Sequence, residues 1–446
     1  MPIHDLHHER RLATQPFRKT VALPLAIVVA GLVCGQPATA QIRTPPTVPH
    51  CAAAATERKP TKATPQDNDT APPHAEPAEV WTDGSVTVGG TKIDYCAVAS
   101  TLVVHPKDWD DAAPSGDTPA KGDSDDSAKN PPTVASMFYV AYLKRNVEAS
   151  ARPITFLFNG GPGSATVWLH MGAFGPRRVD TANAIHSAPA PYRLVNNDQS
   201  LLDASDLVFI DAPATGFSRV SGPDKDRAFY GIDEDAHAFA VFITAFLSKY
   251  QRWNSPKYLF GESYGTTRAA VLVNLLQSDP GVDFNGVIML SQVLAADLYP
   301  DQPKTSPGND LPYQLALPTF AATAWYHQQA ADRRASPVPA TLLSQVESFA
   351  MGDYAAALAA GAGLDQATRE TVIAKLHEFT GLPEDYLRRD DLRVSPDEFR
   401  QELLHDRGRI IGATDTRFEG PTLDRMSRKA RYDPSDAAIS SAYVSS

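Results

Sequence analysis

The chain has 446 residues, 43% of them hydrophobic, and a formal net charge of −11. This excess of acidic side chains excludes a general nucleic-acid-binding protein, because phosphate backbones attract basic surfaces. Three cysteines are too few for a disulfide framework, so the fold must depend on a hydrophobic core.

The first 40 residues have the pattern of a secretory signal peptide. Four basic residues precede an apolar run over residues 21–33, and Ala-Thr-Ala at 38–40 is a small-x-small cleavage pattern. The run is too short to span a membrane, and no other segment approaches 18 apolar residues. We therefore predict a periplasmic or secreted protein without a membrane span, in which Cys51 and Cys96 remain and are able to pair.

Composition divides the rest of the N-terminal half. Residues 41–84 are rich in Pro, Ala and Thr and are predicted to be a disordered leader. Alternating apolar residues over 84–104 and 136–144 predict two strands of a meander that opens a core extending over 85–300. Between them, the acidic, Gly- and Pro-rich residues 106–133 predict a disordered loop.

Residues 260–267, Phe-Gly-Glu-Ser-Tyr-Gly-Thr-Thr, lie between a strand-like run and a helix-like run, which is the setting of a nucleophile elbow. A serine on such a sharp turn has neighbours two before and two after it that press against adjacent backbone, and Gly261 and Gly265 meet that demand. We therefore predict Ser263 to be a nucleophile, with the amide of Tyr264 at the helix N-terminus facing a developing oxyanion. The alternative is a plain turn.

A second glycine-rich loop follows another predicted strand. Residues 154–158 form a short apolar run that ends in Asn-Gly-Gly-Pro-Gly at 159–163. The second oxyanion donor of α/β-hydrolases comes from the loop after an early strand, so Gly160 or Gly161 fits that role.

A third motif follows the predicted strand 206–211, where Ala-Pro-Ala-Thr-Gly-Phe-Ser occupies 212–218. Its plain interpretation is a turn that closes the sheet. Strands that alternate with helices indicate a mainly parallel sheet with helices on both faces.

Together, and in this order from about residue 136 to 293, the three motifs resemble the serine carboxypeptidase family of α/β-hydrolases. The resemblance implies that Ser263 is the nucleophile and that the amides of Gly161 and Tyr264 form the oxyanion hole. It also implies that Asn159 and Glu262 hold the free C-terminal carboxylate of a peptide substrate. A crowded carboxyl group is easier to protonate and can then donate a hydrogen bond to a carboxylate. The alternative for Glu262 is a carboxylate paired with a nearby base.

The chain departs from the family pattern at two positions near the glycine-rich loop. Ala173 stands where the family usually has an acidic residue, two positions before Gly-Pro at 175–176, and this weakens the case for carboxylate recognition. Ser164 replaces a cysteine, so a disulfide familiar in eukaryotic members is absent.

The C-terminal part departs further. The resemblance implies a helical cap over residues 301–407 and a return to the core over 408–446, with the catalytic Asp and His on loops after the last strands of the sheet. The three histidines after Ser263 all lie on or beside helix-like stretches, at His327, His377 and His405. We therefore predict a chain that lacks the last strands and, with them, the Asp and His of the triad.

These observations favour a secreted serine carboxypeptidase that forms a Ser263 acyl-enzyme but is inactive as this chain. The alternatives are a non-catalytic peptide-binding chain, or an esterase or acyltransferase on the same fold. We expect a peptide substrate, no nucleic acid and no cofactor. We also expect no metal, since no His-x-x-x-His or paired-cysteine spacing occurs after the predicted signal peptide. The sequence does not specify residue preference or oligomeric state.

Overall fold

The computed structural model describes residues 79–109, 133–279, 281–295, 298, 308–328 and 337–445. The predicted signal peptide, most of the leader with Cys51, and most of the acidic loop lie outside the described residues. Cys96 is disulfide-bonded. In the described part of the chain, no helix is long and apolar enough to cross a membrane.

The strands are β1 (Val80–Val88), β2 (Thr91–Val104), β3 (Val134–Lys144), β4 (Ile154–Phe158), β5 (Arg177–Val179), β6 (Leu194–Asn196), β7 (Asp206–Ile210), β8 (Arg219–Ser221), β9 (Lys257–Glu262), β10 (Gly286–Leu290), β11 (Arg409–Ile411) and β12 (Glu419–Pro421). Among the described residues, eight of them form one sheet in the order β1-β2-β3-β7-β4-β9-β10, with β8 paired to β3. The last four strands of this order run parallel, whereas β1, β2 and β3 pair antiparallel. The predicted mainly parallel core is confirmed.

The helices are α1 (Val167–Leu169), α2 (Lys225–Phe229), α3 (Ile232–Lys249), α4 (Tyr264–Ser278), α5 (Leu311–Tyr326), α6 (Ala340–Phe349), α7 (Ala355–Ala360), α8 (Gln366–Thr380), α9 (Glu384–Arg389), α10 (Pro396–Glu402) and α11 (Pro434–Ser445). A π-helical turn, His170–Phe174, continues α1. Half of the 18 residues of α3 are buried, and three acidic residues in its first turn match the helix dipole.

Both faces of the central strands β4 and β7 are buried. On β4, Phe156 and Phe158 pack in the cluster that α3 and α4 cover, while Leu157 packs in a second cluster on the other face. Side chains alternate between the two faces of a strand, so a strand buried on both faces reads as a continuous apolar run. That is why β4 and β7 are recognisable in the sequence.

The predicted single strand over 84–104 is wrong, because it is a hairpin. β1 and β2 pair antiparallel up to Val88 and Thr91, and the two residues between them are Gly89 and Gly90, with φ of 55° and 79°. A two-residue hairpin loop of this kind needs positive φ at both positions, which glycine adopts without steric cost. The predicted leader therefore also ends too late, since β1 begins at Val80.

The described residues between 311 and 404 are mainly helical and carry their own hydrophobic cluster. Within it, the rings of Phe320 on α5 and Phe399 on α10 stack with their centroids 4.1 Å apart. The predicted helices in this part of the chain are confirmed, whereas their role as a cap stays a prediction.

In the described residues, β10 is an edge strand with an apolar surface. Val287, Ile288, Met289 and Leu290 are each between 37% and 43% exposed. An exposed apolar edge presents unpaired backbone groups together with hydrophobic side chains, which favours pairing with other chains.

We predict that Met289→Lys slows aggregation of the purified chain, because a charged edge residue opposes strand pairing. Met351→Lys is the matched control, since Met351 is also exposed but lies in a helical segment. Light scattering at constant concentration measures both variants. Equal rates for the two variants would show that the β10 edge does not drive association.

His170 is a partly buried side chain that packs against β3 and β7. Its Nε2 lies 2.7 Å from the Tyr142 hydroxyl oxygen, and its ring stacks on Phe209 with centroids 4.5 Å apart. Burial lowers the pKa of His170 from 6.5 to about 4. Between pH 6.5 and pH 4 the unfolded chain binds a proton at this histidine, whereas the folded chain does not. The free energy of unfolding therefore falls as the pH drops through this range.

We therefore predict that the free energy of unfolding falls less with acid in His170→Gln than in the unmodified chain, by about 2 kcal/mol between pH 7.5 and pH 5. Urea titrations at both pH values measure this difference. His186→Gln is the control, because His186 is exposed and should leave the acid response unchanged. An identical pH response in His170→Gln would contradict the prediction.

Candidate active site

Ser263 lies on the turn between β9 and α4. Its backbone has φ 55° and ψ −126°, a conformation that a non-glycine residue adopts only under constraint. Its N–H donates to the Leu290 carbonyl at 3.0 Å, and its carbonyl accepts from the Thr266 N–H at 2.9 Å. The strand, turn and helix therefore have the geometry of a nucleophile elbow.

The glycines around the elbow have no space for a side chain. A Cβ on Gly261 would lie 2.1 Å from the Gly265 carbonyl oxygen, and one on Gly265 would lie 2.9 Å from the Phe158 carbonyl oxygen. A Cβ on Gly160 would lie 2.4 Å from the Tyr264 nitrogen. The loop after β4 thus lies directly on the elbow, and the steric reason given for Gly261 and Gly265 is confirmed.

The backbone amides of Gly161 and Tyr264, the two predicted oxyanion donors, therefore belong to adjoining segments. Tyr264 is the first residue of α4, where amide groups have no partner within the helix, and Gly161 follows the glycine that touches the elbow. Burial, followed by the Asp235 carboxylate, raises the pKa of the Tyr264 hydroxyl to about 12, so this side chain stays neutral. The oxyanion-hole role of Gly161 and Tyr264 stays a prediction.

Asn159 and Glu262 are in direct contact. The Asn159 Nδ2 donates to Glu262 Oε2 at 2.8 Å, while the Asn159 Oδ1 accepts from the Leu169 N–H at 3.1 Å. Asn159 is only 4% exposed, so its amide orients the Glu262 carboxyl from below the surface. The structure brings the two residues together, and their role in carboxylate binding stays a prediction.

A buried ion pair that the sequence did not reveal supports Asn159. Arg268 on α4 donates to Asp235 on α3 at 2.7 Å and 3.1 Å, and to the Asn159 carbonyl at 2.8 Å. Arg268 is 1% exposed. Charged side chains are rarely buried, and nothing local in the sequence distinguishes Arg268 from a surface charge.

Asp211 is the second supporting residue that sequence reasoning missed. Its carboxylate accepts from the Thr166 N–H at 2.8 Å and from the Phe217 N–H at 3.1 Å. It therefore joins the segment after the glycine-rich loop to the third motif. Burial raises the pKa of Asp211, and the two backbone hydrogen bonds lower it. The third motif is thus more than a turn that closes the sheet.

Ser263 opens into a pocket of about 600 Å³. Its lining joins three parts of the chain: the glycine-rich loop and elbow, the loop around residue 183, and a segment near the C-terminus. The lining residues are Asn159, Gly161, Ser164, Trp168, Thr181, Ala182, Asn183, Ala184, Glu262, Ser263, Thr414, Asp415, Arg417, Phe418, Ser435, Asp436 and Ile439. Ala173, in the π-helical turn, is not among them.

None of the three histidines after Ser263 lines this pocket, and each bonds elsewhere. The ring of His327 donates from Nε2 to the Thr416 carbonyl at 2.7 Å, and that of His377 donates from Nδ1 to the Leu382 carbonyl at 2.7 Å. His405 donates from Nε2 to the Arg425 carbonyl at 3.1 Å. In the described residues, no side chain is hydrogen-bonded to the Ser263 hydroxyl, and no cluster of metal-ligating side chains occurs.

We predict that Gly160→Ala is destabilising by about 3 kcal/mol or more, because the added Cβ would collide with backbone that cannot move away. Thermal unfolding measures the effect. Gly352→Ala is the matched control, since a Cβ there meets nothing within 4 Å in a helical segment and should be neutral or stabilising. Equal melting temperatures for the two variants would refute the close contact.

Comparison with known proteins agrees with these motifs. The family model described as serine carboxypeptidase matches residues 128–292. A curated relative, the pheromone-processing carboxypeptidase KEX1 of Candida dubliniensis, is 26% identical over 141 residues, which are 31% of this chain and 18% of that protein. The chain thus spans less than two thirds of this relative's length.

Two solved structures are also similar. The first, KEX1Δp, a prohormone-processing carboxypeptidase from Saccharomyces cerevisiae, is 16% identical with a TM-score of 0.33, over 63% of this chain and 53% of that one. The second, the rice cell wall degrading esterase LipA from Xanthomonas oryzae, is 12% identical with a TM-score of 0.28, over 61% of this chain and 66% of that one.

The matched residues 128–292 contain β4 with its glycine-rich loop, β7 with the third motif, and the elbow at Ser263. All three motifs therefore lie on the mainly parallel sheet and inside the family match. Residues 128–292 thus match the serine carboxypeptidase family, and the sheet that carries them is mainly parallel with helices packed on it, as in an α/β-hydrolase fold.

Proposed function

We propose that this chain is a secreted or periplasmic serine carboxypeptidase with Ser263 as its nucleophile, which removes C-terminal residues from peptides. The observation that carries the proposal is the constrained backbone of Ser263 at the elbow, with the glycine-rich loop packed against it. The names of the KEX1 relatives, which are carboxypeptidases, support the reaction class. The signal-peptide pattern of the first 40 residues supports export.

In the proposed reaction, the Ser263 Oγ attacks the carbonyl carbon of the last peptide bond. The N–H groups of Gly161 and Tyr264 stabilise the oxyanion that forms. The C–N bond then breaks, the C-terminal amino acid leaves with a proton on its nitrogen, and an acyl-enzyme remains on Ser263. Water hydrolyses this ester and regenerates the hydroxyl group.

A second pocket beside the elbow supports a substrate with groups on both sides of the reacting bond. It measures about 520 Å³ and shares Tyr264 and the glycine-rich loop with the elbow region. Its lining includes the half-exposed apolar side chains of Tyr230 and Ile232. The acyl part of a peptide fits this second pocket, and the leaving residue fits the Ser263 pocket.

We further propose that the 446-residue chain alone turns over its substrate very slowly. A serine hydroxyl needs a base to accept its proton, and His327, His377 and His405 each bond to a backbone carbonyl away from Ser263. Loss of the nucleophile and loss of the base cost a triad about the same factor, roughly 10⁶-fold in kcat. The unmodified chain and Ser263→Ala should therefore show the same low rate.

The test is hydrolysis of an N-blocked depsipeptide, which has an ester in place of the last peptide bond and a free carboxylate. We expect no difference between the unmodified chain and Ser263→Ala in plain buffer. Added imidazole supplies a diffusible base, so hydrolysis should then rise in the unmodified chain and not in Ser263→Ala. Robust Ser263-dependent hydrolysis without imidazole would contradict the missing base and direct attention to His327.

Two outcomes favour the alternative functions. Hydrolysis of the methyl ester of the same compound at an equal rate would indicate an esterase, since that substrate has no free carboxylate. Binding of the depsipeptide without any Ser263-dependent hydrolysis, even with imidazole, would indicate a non-catalytic peptide-binding chain.

A further inference from the structure

One wall of the Ser263 pocket is formed by a segment that begins about 150 residues after the serine. We call residues 409–445 the C-terminal segment; it contains β11, β12 and α11. Two hydrogen bonds attach it to the loop around residue 183. Arg417 Nη1 donates to Asn183 Oδ1 at 3.0 Å, and the Ser187 N–H donates to the Ala438 carbonyl at 2.9 Å.

Arg417 is held in a defined position on this wall. Its Nε donates to Asp415 Oδ1 at 3.0 Å and its Nη2 donates to Asp415 Oδ2 at 2.6 Å. The Asp415 carboxylate thus accepts a pair of hydrogen bonds from one edge of the guanidinium. The neighbouring backbone is fixed as well, because the Thr416 carbonyl accepts from the buried His327. An arginine held in this way loses little side-chain freedom when it binds a ligand.

The guanidinium keeps hydrogen-bonding capacity for a ligand. Of its five N–H groups, the contacts in the described residues use the one on Nε, one on Nη2 and one on Nη1. One N–H on each terminal nitrogen remains, and the side chain is 46% exposed. Two such groups are the pair with which arginine binds a carboxylate.

The charge of the pocket also points to Arg417. Its described lining contains three acidic side chains, Glu262, Asp415 and Asp436, and one cation, Arg417. Asp415 is engaged in holding Arg417, and Asp436 is exposed in the first turn of α11, where the helix dipole offsets its charge. A substrate carboxylate that approached Ser263 without Arg417 would meet only like charges.

We propose that Arg417 binds the free C-terminal carboxylate of the peptide substrate. Asp415 and Asn183 are the positioning residues. This inference rests on the proposed function. Arg417 places the carboxylate in the Ser263 pocket, so that the last peptide bond, and no internal one, lies beside the serine.

The test compares binding of an N-benzoylated dipeptide and of its C-terminal amide at pH 7, by calorimetry. The full chain carries Ser263→Ala so that neither compound is consumed. A charge-assisted pair of hydrogen bonds should make the acid bind roughly 10-fold or more tightly than the amide. Arg417→Gln should bring this ratio close to one and leave amide binding unchanged. Arg417→Lys should keep part of the ratio, since lysine retains the charge without the planar fork.

Arg431→Gln is the matched control, because Arg431 is also paired with an aspartate in the C-terminal segment, Asp424, but does not line the pocket. It removes the same charge and should leave the ratio unchanged. Thermal unfolding shows whether each variant is folded. If Arg417→Gln does not fold, Arg417→Lys is the test, and a several-fold loss of the acid-to-amide ratio in that variant supports carboxylate binding by Arg417.

Three outcomes overturn the inference. An acid-to-amide ratio that survives Arg417→Gln assigns the carboxylate to other residues. Equal binding of acid and amide by the Ser263→Ala chain removes carboxylate recognition but leaves peptide binding in place. Failure of both compounds to bind contradicts the proposed peptidase function itself.

Discussion

The contact between two glycine-rich backbones is the constraint on which the site depends. Gly160 after β4 lies against the amide of Tyr264, and Gly261 and Gly265 allow the elbow to close on itself. Each contact would place an added Cβ within 3 Å of backbone atoms. The serine is therefore positioned by main-chain packing on a rigid sheet, which fixes it more exactly than a flexible loop would.

Two buried charged side chains join the segments around this contact. Arg268 joins α3, α4 and the backbone of Asn159, while Asp211 joins the glycine-rich loop region to the third motif. Burial of charges is costly, and loss of one partner leaves the other uncompensated. Arg268 in this way fixes the backbone of Asn159. This keeps the Asn159 and Glu262 pair in place under the pocket.

The Ser263 pocket also shows how distant parts of the chain meet. The glycine-rich loop and elbow supply its polar floor, and the C-terminal segment supplies Asp415 and Arg417. The sheet that carries Ser263 ends, in the described residues, at the exposed apolar strand β10. The elbow and the glycine-rich loop are thus built by a well-packed core, whereas one wall of the pocket comes from a segment later in the chain.

The sequence determined the parallel core and the elbow, because both leave local patterns. Strands buried on two faces read as apolar runs, as in β4, and backbone contacts demand glycine at fixed spacing around Ser263. It also indicated the contact of Asn159 with Glu262, through the family resemblance. The hairpin also has a local signal, the Gly89-Gly90 pair, although the alternating pattern around it predicted one continuous strand.

Only the tertiary structure decided the long-range electrostatics. Nothing local distinguishes Arg268, Asp211 or Arg417 from surface charges, because burial and partners are set by segments tens to hundreds of residues away. The same holds for the histidines, whose rings are seen to be engaged only when the carbonyls of Thr416, Leu382 and Arg425 are placed. Local patterns record backbone and packing demands, whereas charge pairing is a property of the folded chain.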